Sequence, residues 1–141
     1  MEYKKFKDTI IARIDPGEEI LDSLKKLSLK ENIKLASINA LGAIGEFTVG
    51  AYDIGQKKFI STDFSGNYEI ISLIGTVNTM NGEYYSHIHL CAGGVDCVAV
   101  GGHLSRGVVS NTCEMVINII DGTLDRKVDD VTGLNIFDFS K

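Results

Sequence analysis

The chain has 141 residues, 44% hydrophobic and 23% charged, the size and composition of a single domain spanning 1–141 around one core. Nineteen acidic residues against fourteen Lys and Arg give a formal net charge of −5, which repels a phosphate backbone unless basic residues gather on one face. Three cysteines without a C-x-x-C pair argue against a disulfide framework, and the lack of a long apolar run or a signal-like N-terminus predicts a cytoplasmic protein with no membrane partner.

Residues 3–14 alternate apolar with charged or small positions and predict a first strand. Lys4, Lys5 and Lys7 are the densest basic patch, but Asp8 follows at once and the patch reads as a solvated strand edge. Asp15-Pro16-Gly17-Glu18 joins a favoured N-cap, a proline at the first helical position and an acid at the third, so a helix is expected to start there. Ile20, Leu21, Leu24 and Leu27, with Ala36 beyond the end, supply its apolar stripe, while Lys25, Lys26, Lys30 and Glu31 face water.

From Lys34 to Phe64 the text predicts short strands broken by Gly42, Gly45, Gly50 and Gly55, with a hairpin turn at Asp53-Ile54-Gly55-Gln56. Leu41 to Gly45 lacks the spacing and the Lys-Ser/Thr ending of a phosphate loop and reads as a bend. A β-rich run from Tyr68 to Val77 precedes Asn81-Gly82, the signal of a type I′ turn. The next strand runs from Tyr85 to Cys91, turns near Gly93-Gly94, and returns through Cys97 to Val100 toward His103; further strands are expected at Val108-Val109 and Met115 to Ile120.

The chemistry gathers in that stretch. His87 and His89 are two apart on a strand, so both imidazoles project from one face within reach of one ion. His103 is the only other histidine, and three neutral imidazoles with an open fourth position describe a catalytic-type site for a divalent metal, zinc first. Nickel, iron and manganese are alternatives, since imidazole selects weakly among them. A turn centred at Gly93-Gly94 places His103 beyond His87, opposite residue 84, so either a bend at Gly101-Gly102 or a neighbouring subunit must complete the set.

Cys91 continues the histidine face, yet suits an apolar position equally well. Ser86 points to the opposite face and no G-x-S-x-G elbow is present, which disfavours a Ser-His-Asp site. Glu46, Glu69 and Glu114 as bases, or Arg106 as an anion binder, need the fold to place them, and each reads first as a solvated or ion-paired surface residue.

Four segments together resemble the PPC ("plants and prokaryotes conserved") domain family over nearly the whole chain: Arg13 to Ile20, Tyr68 to Thr76, His87-Ile88-His89-Leu90, and Gly101-Gly102-His103-Leu104. The resemblance implies an α+β fold of antiparallel sheets, meander-rich and barrel- or sandwich-like, with one main helix packed on the sheet. It also implies a homotrimer and, in prokaryotic members that keep three histidines, a metal bound by them. Plant relatives share the Glu69-to-Thr76 stretch but carry AT-hook arms and lack the histidines. DNA is therefore disfavoured as a partner by the acidic charge and the missing AT-hook, and a small-molecule ligand stands beside it. The histidine pattern is similar, too, to the zinc motif of acetolactate decarboxylase, which keeps a zinc-dependent lyase or hydrolase acting on a small oxygen-rich substrate as the alternative function.

Overall fold

The computed structural model describes residues 1–140. It is mostly antiparallel β-structure with one helix. In chain order come β1 (Glu2–Phe6), β2 (Thr9–Ile14), α1 (Ile20–Lys30), β3 (Ala36–Asp53), β4 (Lys58–Met80), β5 (Glu83–Gly94), β6 (Ala99–Ile119), β7 (Asp125–Val128) and β8 (Asn135–Asp138). Strands β1-β2-β6-β3-β4-β5 pair in that order, and β5 pairs again with the start of β6; β7 and β8 form a separate hairpin. No helix among the described residues is long and apolar enough to cross a membrane.

The predicted first strand is two, because Lys7 takes a positive φ of 55° and turns the chain between β1 and β2. The helix starts later than its cap signal. Gly17, at φ 83°, makes Asp15 to Glu18 a turn in which the Glu18 carboxylate accepts from the Asp15 N–H at 2.8 Å. Glu19 is the true N-cap: its carboxylate accepts from Asp22 N–H at 2.6 Å and from Gly107 N–H of β6 at 2.7 Å. One side chain thus satisfies a free donor of the first turn and moors the helix to the sheet, a tie no local pattern reveals.

Three of the four expected glycine breaks between Lys34 and Phe64 are not breaks, since β3 runs unbroken through Gly42, Gly45 and Gly50; the fourth, Gly55, does interrupt the strands, in the turn between β3 and β4. Register shifts at Ala40/Gly42 and Ile44/Glu46 mark bulges, where glycine bends a strand without ending it. Val108-Val109 and Met115 onward likewise belong to the single strand β6. Both predicted turns are present. Gln56 N–H donates to Asp53 Oδ1 at 2.9 Å, and Asn81 and Gly82 take φ 54° and 79°.

Strand alternation divides the sheet into two faces. Ile88, Leu90 and Ala92 of β5, Leu73 of β4, Ala40 and Ile38 of β3, and Met115 and Ile117 of β6 are buried, together with Ile20, Leu24 and Leu27 of α1. His87, His89 and His103 occupy the alternate positions. They stand on the side of the sheet away from this core, where something other than apolar packing must account for them.

Candidate metal centre

The β5–β6 turn spans residues 95–98, with Cys97 at φ 61°, rather than centring on Gly93-Gly94. That shift in register brings His89 directly opposite His103, with Leu90 opposite Gly102 and Cys91 opposite Gly101. The gap expected for His103 therefore does not arise, and neither a corrective bend nor a second subunit is required to bring the three together. One nitrogen from each ring lies within 4.8 Å of the others, and Nε2 of His87 is 3.1 Å from Nε2 of His89. Ligand atoms on a tetrahedral zinc stand about 3.3 Å apart, so the pair is already near chelating distance. His103 Nδ1 is buried with no hydrogen-bond partner among the described residues, an orphaned lone pair or N–H of the kind that a bound ion relieves.

The other sequence candidates lie elsewhere. Arg106 pairs with Glu46 at 3.0 Å, and Glu69 and Glu114 are exposed; none of the four lines the clefts beside the histidines. Cys91 is half-buried and Cys97 sits exposed in the turn rather than across from it. Ser86 is on the opposite side of β5 from His87. Burial pushes the Cys113 thiol up to about 12, so it is an inert core residue.

Two adjoining clefts, of about 620 Å³ and 420 Å³, open at the histidines. Tyr52, Phe59, Tyr85 and Phe137 wall the larger one, and the Phe59 ring lies 5.1 Å from His103. Arg126 and Phe137, from the β7–β8 hairpin, line both. Sequence reading missed this pair. A single arginine in a short strand carries no local signal, and its depth is visible only once the hairpin is folded over β4 and β5. Arg126 is 5% exposed; its guanidinium lies 4.2 Å from the Phe137 ring centre and 4.9 Å from that of Tyr85. It donates to Asn78 Oδ1 (3.0 Å), the Asn135 carbonyl (2.7 Å) and, at 3.5 Å, Thr76 Oγ1.

Burial is the main force holding the His87 imidazole down to about 4, with repulsion from His103, His89 and Arg126 adding to it; His103 is lowered by burial and by His89. Both rings are thereby neutral near pH 7, the form that ligates metal. In the metal-free protein, the unfolded chain takes up a proton at His87 from the ordinary value of 6.5 downward while the folded chain resists it to about 4. Stability present above that window is lost as pH falls through it. A urea-midpoint series on metal-free protein is expected to decline across these pH values, and His87→Gln to flatten the decline.

Residues 1–121 match the Plants and Prokaryotes Conserved (PCC) domain. The chain belongs to the PCC family. Among solved structures, this PCC chain is similar to a protein from Bacteroides thetaiotaomicron, provisionally named as DNA-binding, at 31% identity over 99% of this chain and 98% of that one, with a TM-score of 0.96. A plant- and prokaryote-conserved protein of Pyrococcus horikoshii is 29% identical over 99% and 95% of the two chains (TM-score 0.85). A metal-containing protein of Archaeoglobus fulgidus is 28% identical over 96% of each (TM-score 0.87). No curated protein matches the chain.

Proposed function

We propose that this PCC protein holds a divalent metal, zinc by preference, on His87, His89 and His103, and presents the ion's open position to a small molecule in the adjoining cleft. The carrying observation is the convergence of three imidazole rings, one of which also holds a buried nitrogen without a partner, beside two clefts away from the core. The metal-containing Archaeoglobus relative supports it. Held there, a zinc ion would supply Lewis acidity toward an oxygen of the small molecule. Crystals grown with zinc are expected to show one anomalous peak per chain among the three rings at the zinc edge; a map without that peak refutes the assignment.

The size of the cleft, within the range that buries small molecules, favours as second reading a zinc-dependent lyase or hydrolase acting on a small oxygen-rich substrate. The proposed assembly is a homotrimer in the cytoplasm. Ile11, Val116 and Ile74 are exposed in one cross-strand row that runs through Asn39 to His89, a largely apolar strip suited to a second copy of the chain. Light scattering should then give three times the chain mass. The name of the Bacteroides relative raises a DNA-associated regulatory role. That role requires salt-sensitive binding to duplex DNA at low ionic strength, against the net charge of −5.

A further inference from the structure

The charge inside the clefts runs against the charge of the whole protein. Among the described residues no Asp or Glu lines either cleft, while Arg126 lines both and Lys57 lines the larger. A buried guanidinium ordinarily has a carboxylate against it, because removing the charge from water is costly without a counter-charge. Arg126 has none among the described residues. Its three hydrogen bonds go to an amide, a backbone carbonyl and a hydroxyl, all neutral. A guanidinium carries five N–H groups, so one on each terminal nitrogen remains to be used. A divalent ion on three neutral imidazoles would add further positive charge with no protein group to offset it.

We infer that Arg126 is the anion-binding half of this cleft. The ligand it fits is a small carboxylic acid with a second oxygen for the ion and an apolar or planar body. The two carboxylate oxygens suit the unused N–H on each terminal nitrogen. The body lies among Phe59, Tyr85 and Phe137. Only the second-oxygen contact rests on the metal reading above; the Arg126 contact stands without it. Arg126 also pins the β7–β8 hairpin to Asn78, so the test must read charge preference rather than loss of the fold.

Mandelate, its uncharged amide and inorganic phosphate are titrated by calorimetry into the full chain, both metal-free and loaded with Co²⁺, whose visible spectrum reports an oxygen entering its coordination sphere. Mandelate is expected to perturb that spectrum and to bind about ten-fold more tightly than the amide. Without metal it binds more weakly but keeps a preference over the amide. Arg126→Met, which retains the side chain's apolar bulk, loses the preference in the metal-free protein while Co²⁺ affinity is undiminished. Arg126→Lys, which keeps charge but not the fork, gives an intermediate preference and carries the test if the Met variant does not fold. Failure of Co²⁺ to bind would sink the metal reading alone, since the metal-free comparison still reports on Arg126. Equal binding of acid and amide by metal-free wild type, an unaltered preference in the Arg126 variants, or phosphate binding more tightly than mandelate would each overturn the inference.

Discussion

His103→Ala is expected to lower zinc affinity by a hundred-fold or more. Structural zinc sites hold their ion by roughly 10–16 kcal/mol across about four ligands, so one ligand accounts for about 3 kcal/mol. His103 is the member to remove because it comes from β6, whereas the other two share β5. Its loss reduces a site spanning two strands to a pair on one strand. The metal-free variant should lose only about 1 kcal/mol or less, since the contact with Phe59 that disappears is offset by removal of a buried nitrogen without a partner. A fluorescent-chelator competition gives the affinity, and melting with and without zinc gives the stability. The expected pattern is a large zinc-induced rise in Tm for wild type and almost none for the variant. Unchanged zinc affinity would remove His103 from the site.

Gly102→Ala is expected to be among the most damaging single substitutions outside the core. A Cβ there would stand 2.5 Å from the Gly50 carbonyl oxygen on β3, and the backbone has φ +156°, which L side chains rarely adopt. Strain and overlap together should cost about 3 kcal/mol of stability. The damage would not stay local, because Gly50 pairs with His103 and His103 pairs with His89. Pushing β3 from β6 therefore moves the proposed ligand His103, and zinc affinity should fall with stability. Gly82→Ala is the control: φ is +79°, nothing lies within 4 Å of the added carbon, and the site is distant in the hairpin. About 1 kcal/mol and unaltered zinc binding are expected there. Urea unfolding of both variants, with zinc titrations, separates the two cases.

What the sequence disclosed tracks the range of the interactions involved. The apolar stripe of α1, the Asn81-Gly82 turn and the shared face of His87 and His89 depend on neighbours a few residues away, and all three are found in the structure. The N-cap was misplaced because Glu19 takes its role partly from Gly107, 88 residues distant. Glycines in β3 read as breaks because a bulge and a turn have similar local composition; only pairing with β4 and β6 tells them apart. The His89–His103 register turned on the placement of the β5–β6 turn, since centring it on residues 95–98 instead of Gly93-Gly94 moves the partner of His103 from residue 84 to His89. Arg126 was illegible for the opposite reason to Arg106. The arginine singled out as an anion binder is ion-paired with Glu46, and the one set against the histidines reached them through the fold of the last twenty residues.

The family match ends at residue 121, and β7 begins at Asp125. The three imidazoles thus belong to the stretch that defines the family, while Arg126 and Phe137 belong to a segment beyond it. Inheritance of the three histidines proposed to seat an ion and inheritance of the wall facing them are separable. Substitution in the last twenty residues can retune what enters the cleft without touching the histidines, the sheet register or the core, so one fold accommodates relatives of different chemistry.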